Sequence, residues 1–433
     1  MYIGLTPVNT SETSHLLEGI ELNLDAEKLA IVKASAPILK EHSIDIGKHF
    51  YELLFAKVPE LRHVFNQTNQ KRGLQQEALV YSVYAAGENI DSLDQIHQLV
   101  DRIAEKHVSL GVQPEQYPVV GEALLQAIKD VLGNQATDEV IDAWCDAYDY
   151  IANLFIELET KKYLETEQQE GGWQGFRSFI IEEKIQETDD VVSFVVKPTD
   201  GLSLASYRAG QYLTLKVDIE GETYTHMRQY SLCGSSGKDY YKIGVKREKG
   251  NGDVPDGVVS NYLHDQVTEG DVLSFSAPAG DFTITSDEEP IVLLSGGIGL
   301  TPVVGMLDTL AEKDPHRPVT FIHATQNSST HAMKDHVAQL AAEHPNMTSF
   351  VCYDSPNEAD RAKQNFDKEG YVDLPWLQSI LSCGNRADFY CCGPAPFMKA
   401  VDRSLKDWGV PGENRHYEVF NPVSVLNEPE PVS

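Results

Sequence analysis

The hydrophobic period changes twice along this chain, and each change restricts what the segment can become. From about Asp25 to Tyr163 apolar residues recur at helical spacing: Leu53, Leu54 and Phe55 in one stretch, and Ile96, Leu99, Val100 and Ile103 as a stripe in another. Pro59, Pro114 and Gly133 punctuate this block, and nothing in it alternates at period two. It reads as all-α. The run ETEQQEGG, Glu165 to Gly172, is polar and ends in paired glycines, as a linker does. Short β-rich segments follow, among them FRSFIIEEKI, VVSFVVKP, QYLTLKVDI and DVLSFSAP, separated as in a small antiparallel barrel or sandwich. From Pro290 apolar strands alternate with helical stretches, which predicts a parallel sheet with crossover helices. The expected organisation is multidomain: an N-terminal extension over 1–22, an all-α block over 23–163, a linker over 164–172, an antiparallel β-barrel over 173–286 and an α/β domain over 287–433.

Length agrees, since 433 residues make about three domains of ~150 each. The 35 Lys and Arg against 66 Asp and Glu leave a net charge of −31, which argues against nucleic acid or an anionic membrane as partner. No apolar run approaches the ~20 residues of a membrane span, and the first residues lack the basic start of a secretory signal. Six cysteines without a Cys-x-x-Cys spacing fit reduced thiols in a cytoplasm and exclude a cysteine zinc site.

IVLLSGGIGLTP sets Gly296, Gly297 and Gly299 between an apolar strand and a helix. Glycines there let backbone approach a pyrophosphate, and the helix supplies free N–H groups, although a tight strand-to-helix turn has the same residues. Pro302 stands where a dehydrogenase fingerprint carries its third glycine, which points away from that class. In the barrel, RQYS offers a fork for phosphate (Arg228), a ring to stack (Tyr230) and polar groups for ring nitrogens (Gln229, Ser231); a polar edge strand is the bland alternative. Val259, Ser260 and Asn261 open a short helix, a second anion-ready N-terminus or an ordinary serine cap.

The ordered set RQYS, GVVSN, GGIGLTP and CCGPAPFM resembles ferredoxin–NADP reductase-type flavoproteins, which join an FAD-binding barrel to an NAD(P)-binding α/β domain. The resemblance implies that Tyr212, Arg228, Gln229, Tyr230 and Ser231 hold FAD. It implies that Gly297, Ile298, Gly299, Leu300, Thr301 and Pro302, with Cys392, Gly393 and Pro394, receive NAD(P)H. The terminal Glu418, Val419 and Phe420 would close over the flavin.

In the helical block His107 lies on the apolar stripe of Ile96, Leu99, Ile103 and Leu110, whereas His97 projects with Asp101. A histidine on such a stripe is more often a satisfied core residue than a ligand. Phe50, Tyr51 and Leu54 share a face of an earlier helix, and Gln75 and Leu79 form an i, i+4 pair, as in any bundle core with a polar rim. Tyr117 precedes the next helix, and the last helix carries Glu157 and Glu159.

HFYELLFAKVPELRHVFNQTNQ, AEKHVSLGVQPEQY and ANLFIELETKKY resemble bacterial globins. Their union with the reductase resembles one family, the flavohaemoglobins, over about Leu24 to Phe420. That resemblance implies a globin domain with haem b on His107, Tyr51, Gln75 and Leu79 on the distal side and Phe65 against the porphyrin. Tyr117 and Glu159 would complete a proximal network, and Lys106 would influence the haem's redox behaviour. A carboxylate behind the imidazole makes it a stronger electron donor, and distal Tyr51 and Gln75 can stabilise charge on bound oxygen.

The implied activity is nitric oxide dioxygenation, NO and O₂ to nitrate, with electrons passed from NAD(P)H through FAD to haem b in a cytoplasmic monomer. A flavin-linked reductase of a lipid peroxide or ferric iron, and an oxygen-sensing or storage globin, are the alternatives. Two departures stand out: residues 1–22 have no counterpart in the family, and Asn421 replaces an expected glycine after Phe420.

Overall fold

The computed structural model describes residues 24–65, 70, 73–250, 255–286 and 289–420. The readings on 1–22 and on Asn421 lie outside the described residues.

Six α-helices among the described residues build the first block: α1 (Ala26–Glu41), α2 (Ser43–Lys57), α3 (Leu74–Glu88), α4 (His97–Leu110), α5 (Tyr117–Leu132) and α6 (Asp138–Gln168). Their ends follow local chemistry. Asp25 accepts from Lys28 N at 2.8 Å to start α1, and Thr137 accepts from Val140 N to start α6. Gly111, left-handed at φ +78°, stops α4. On α2 the buried Ile46, Phe50 and Leu54 repeat every fourth residue, with Tyr51 and Phe55 beside them. They pack into a core with Val32, Leu39, Leu124, Ile128 and Trp144.

The last helix departs from the expected boundary. It runs to Gln168, so the polar stretch expected as linker from residue 164 is helical over its first five positions. Glu and Gln are good helix formers, and Lys161 pairs with Glu165 at 3.7 Å one turn on. The chain turns only at Gly171, with φ +75°.

Strands β1 (Phe176–Thr188), β2 (Val191–Pro198), β3 (Tyr212–Val217), β4 (His226–Ser231), β5 (Tyr241–Lys246) and β6 (Val272–Ser276) form an antiparallel sheet in the order β4-β3-β6-β1-β2-β5. A bridge between Leu232 and Ile243 brings the two edges together into a barrel. Phe179, Phe194, Tyr241 and Phe275 fill its interior. Helix α7 (Val258–Asp265) follows β5.

The α/β domain has strands β7 (Ile291–Gly296), β8 (Val319–Thr325), β9 (Met347–Tyr353), β10 (Lys368–Glu369), β11 (Asp388–Cys392) and β12 (Arg415–Glu418). Its helices are α8 (Leu300–Lys313), α9 (Lys334–Glu343), α10 (Glu358–Lys363), α11 (Leu374–Ile380) and α12 (Ala395–Asp407). The sheet is parallel, in the order β10-β9-β8-β7-β11-β12. All six residues of central β7 are buried, as a strand covered on both faces requires. From β7 the chain moves outward through β8 and β9, then crosses back to β11 on the other side. That reversal opens a crevice at the carboxyl ends of β7 and β11, where ligands bind in such sheets. Val191, Ala209, Cys233 and Phe282 of the barrel share a core with Leu300, Val303 and Met306 of α8, which packs the two reductase domains together.

Candidate functional site

The last turn of α4 aims His107 at α6 and at the start of α5. Its Nδ1 lies 2.7 Å from Glu159 Oε1 and 3.1 Å from the Tyr117 hydroxyl, which itself donates to Glu159 Oε1 at 2.6 Å. A carboxylate oxygen accepts, so Nδ1 is the donor of this contact and Nε2 is the ring nitrogen left to ligate a metal. Burial, and then the charge of Glu159, push the Tyr117 hydroxyl's pKa far up, keeping it a donor. The Glu159 side chain is 4% exposed and that of His107 33%, so the carboxylate end of the network is sealed while the ring is more accessible. An imidazole with Nδ1 satisfied and Nε2 free fits axial ligation of haem iron. Of the two glutamates offered by α6, Glu157 is exposed and Glu159 buried. His97 is elsewhere, with Nδ1 on the Asp94 carbonyl at 2.7 Å.

The opposite wall comes from α2 and α3. Tyr51, 6% exposed, stands edge-on to Phe65 at 5.2 Å between centroids and packs on Phe55 at 5.5 Å. Burial raises the pKa of its hydroxyl, and the Gln70 side chain lies beside it. Leu79 packs against the same core. Gln75 Oε1 is buried with no hydrogen-bond partner among the described residues. A buried amide oxygen left so is costly unless a donor such as water completes it, and the amide N–H₂ beside it can donate to a ligand on this side of a haem.

Strand β4 is an edge strand. Arg228 and Tyr230 alternate with Gln229 and Ser231, and Ser231 lies opposite Tyr212 of β3. The Arg228 guanidinium donates to the Met227 carbonyl at 2.7 Å, and no ion pair to it occurs among the described residues. Burial lowers its pKa. A crowded cation without a carboxylate fits a diphosphate. Gln229 donates to Thr214 Oγ1 at 3.3 Å. Ser260 is no N-cap: Gly257 caps α7, and Ser260 Oγ accepts from Glu248 N at 3.1 Å, tying the β5 loop to the helix start. Lys106 is exposed, and the surrounding protein lowers its ammonium pKa. Burial pushes the Glu418 carboxyl up to about 7, with Asp281 adding to the rise and Arg102 and Lys106 opposing it.

At the crevice Gly297 adopts φ +52°, which glycine takes without strain. A Cβ on Gly299 would sit 2.3 Å from the Cys392 carbonyl oxygen, so the glycine loop and the Cys392-Gly393-Pro394 turn interlock only without it. Ile298 is half-buried at the loop tip, while Leu300, Thr301 and Pro302 are buried in the first turn of α8. Cys392 is fully buried between Ser295 of β7 and Glu418 of β12. Val419 is half-buried; Phe420 is 49% exposed. Gln70, Phe155 (5.9 Å from the His107 ring) and Glu105 are contributors that pattern reasoning missed. Gln70 sits in a polar run without periodicity, and Glu105 reads as one more solvated acid.

Fold and site define an oxidoreductase in which a globin is joined to a flavin and nicotinamide module like ferredoxin reductase. The chain matches the globin family over 48–154, the oxidoreductase FAD-binding domain over 178–284 and the oxidoreductase NAD-binding domain over 293–403. A flavohemoprotein of Halalkalibacterium halodurans is 52% identical over 93% of this chain and 98% of its own, and one of Bacillus subtilis is 43% identical over 92% and 98%. The flavohemoglobin structure of Malassezia yamatoensis, with bound FAD and heme, is similar at TM-score 0.80 and 25% identity over 92% of this chain and all (100%) of that one. The FAD/NAD-binding domain of nitric oxide dioxygenase from Vibrio cholerae is similar at TM-score 0.51 and 37% identity, over 56% of this chain and 98% of that one. The chain belongs to the flavohemoprotein family. Its cofactors are haem b, FAD and NAD(P)H.

Proposed function

We propose that this protein is a nitric oxide dioxygenase, converting NO and O₂ to nitrate with electrons from NAD(P)H. The observation that carries the reading is the His107–Glu159–Tyr117 network. A buried carboxylate holding the Nδ1 proton enriches the ligating nitrogen, which suits oxygen activation and has less use in storage. The Vibrio cholerae relative, named as a nitric oxide dioxygenase, supports it.

When bound, nicotinamide, flavin and haem supply hydride transfer, its division into single electrons, and dioxygen chemistry. The protein's part is to hold and orient. His107 would ligate iron through Nε2, while Tyr117 keeps Glu159 in place. Tyr51 and Gln75 would direct polar groups at the oxygen ligand, with Phe65 and Leu79 excluding water around it. Arg228 and the α7 amides would hold the FAD diphosphate, Tyr212 and Tyr230 its rings, and Gln229 and Ser231 its polar edge. Gly297 to Pro302 and Cys392 to Pro394 would receive NAD(P)H, with Val419 and Phe420 closing the flavin side. Lys106, beside the ligand and facing Glu418, would tune the haem electrostatically.

No helix among the described residues is long and apolar enough to cross a membrane. A monomer in the cytoplasm, where NAD(P)H is made, suits the reading. The test is NO consumption by purified holoprotein with nitrate as product, dependent on both O₂ and NAD(P)H.

A further inference from the structure

Helix α4 has two working faces. His107 looks into the helical block; Arg102, Glu105 and Ser109, spaced as i, i+3 and i+7, form a stripe on the other side. That stripe meets the flavin barrel residue by residue. Arg102 lies 3.6 Å from Asp281, Glu105 Oε2 accepts from the backbone N–H of Gly280 at 2.8 Å, and Ser109 lies beside the Tyr212 side chain. Glu105 is held twice, because its other oxygen takes Lys162 Nζ at 2.7 Å, with side-chain exposures of 13% and 19%. Lys162 stands one turn beyond Glu159 on α6. Gly280 adjoins Ala279, which exchanges both backbone hydrogen bonds with Tyr212, at 2.8 and 3.0 Å. One carboxylate thus joins the proximal helix, the helix of the proximal acid and the strand carrying a flavin residue.

A second tie lies on the distal side. His63 follows α2, the Tyr51 helix, and its Nδ1 accepts from Thr225 N at 3.0 Å with its ring edge-on to Tyr224 at 5.5 Å. Thr225 immediately precedes β4, the Arg228 strand. The helical block is therefore gripped on both flanks of the cleft, each time by a segment adjoining a cofactor residue.

We propose that Glu105 is a positioning residue and, with His63, forms a two-point clamp that sets the helical block on the flavin barrel at the separation and angle electron passage requires. This rests on the flavin-to-haem electron route proposed above. Each passage takes one electron from reduced FAD and converts ferric to ferrous iron; the clamp exchanges no proton or bond. Electron passage falls steeply with separation, and removing Glu105 leaves the Gly280 N–H unpaired and the half-buried Lys162 ammonium with the longer 3.6 Å contact to Asp101, so the interface shifts or opens.

The experiment is anaerobic mixing of holoprotein with NADH, following flavin bleaching and the Soret shift separately, together with amide exchange at Gly280 and Thr225. Glu105→Ala should bleach flavin at the wild-type rate, slow haem reduction by about tenfold or more, and deprotect Gly280. Glu105→Gln, able to keep one of the two contacts, should fall between. His63→Ala should slow haem reduction and deprotect Thr225, and His63→Asn, whose amide oxygen can replace Nδ1, should restore both. Haem reduction at the wild-type rate in both alanine variants overturns the proposal, as does an equal slowing of flavin bleaching. Should Glu105→Ala not fold, the His63→Ala and His63→Asn pair decides. Nitric oxide is absent from these measurements, so the clamp can fail while the dioxygenase reading stands, and the reverse.

Discussion

Glu159 Oε1 lies 2.7 Å from His107 Nδ1 and 2.6 Å from the Tyr117 hydroxyl, so one carboxylate oxygen receives both groups. Glu159→Gln keeps the shape and removes the charge. It should lower NO turnover by about 10- to 100-fold, with a lower iron–histidine stretching frequency in the ferrous protein. An unchanged frequency would mean that the carboxylate does not enrich the ligand.

His107→Ala should remove haem while leaving FAD and NAD(P)H oxidation by an artificial acceptor largely intact, because barrel and α/β domain share their own core. His97→Ala, changed at a residue bonded only to a nearby carbonyl, is the matched control. Normal haem content in the first variant contradicts the ligand assignment.

Much of this was legible beforehand, for identifiable reasons. Helical spacing put Phe50, Tyr51 and Leu54 on one face because burial selects that period, and α2 buries all three. Period also singled out His107 over His97. What it could not do was choose between Glu157 and Glu159, two positions apart on one helix, since only the packing of α4 on α6 decides which is sealed. Glu105 was invisible for a related reason: its partners, Lys162 and Gly280, are distant in sequence and one is a backbone amide. The helix end at Gln168 was missed because polarity was read as a break, whereas Glu and Gln sustain a helix.

Arg228→Ala should weaken FAD binding by about 1.5–3 kcal/mol, the usual worth of a charge-assisted contact, without altering haem content. Flavin retained through dialysis as well as in wild type would refute a diphosphate contact.

Tyr51→Phe should speed O₂ dissociation. Losing one hydrogen bond costs roughly 1–3 kcal/mol, or about fivefold to 150-fold. Haem reduction by NAD(P)H should stay near wild type. An unchanged off-rate would show that the hydroxyl does not serve the ligand.

Glu418 gives a pH signature. With its carboxyl raised from 4.5 to about 7, chiefly by burial, the native state holds a proton that the unfolded chain has released between those values. Its contribution to stability therefore falls as pH rises across that window and is flat above it. Buried His331, held low at about 4 by burial, acts oppositely as pH falls below 6.5, so total stability does not isolate Glu418. The difference between cofactor-free wild type and Glu418→Gln does. The variant should gain relative to wild type from pH 5 to 7, and a difference independent of pH would place the Glu418 carboxyl in its ordinary range.

The central claim is the chemistry at the haem, and the direct measurement is product analysis. Purified holoprotein supplied with NAD(P)H and O₂ is given NO in limiting amount, with NO, O₂ and nitrate followed together. One nitrate should form and one O₂ be consumed for each NO, with no turnover when either O₂ or NAD(P)H is withheld. NO left unconsumed under these conditions, or consumed without nitrate, would contradict it.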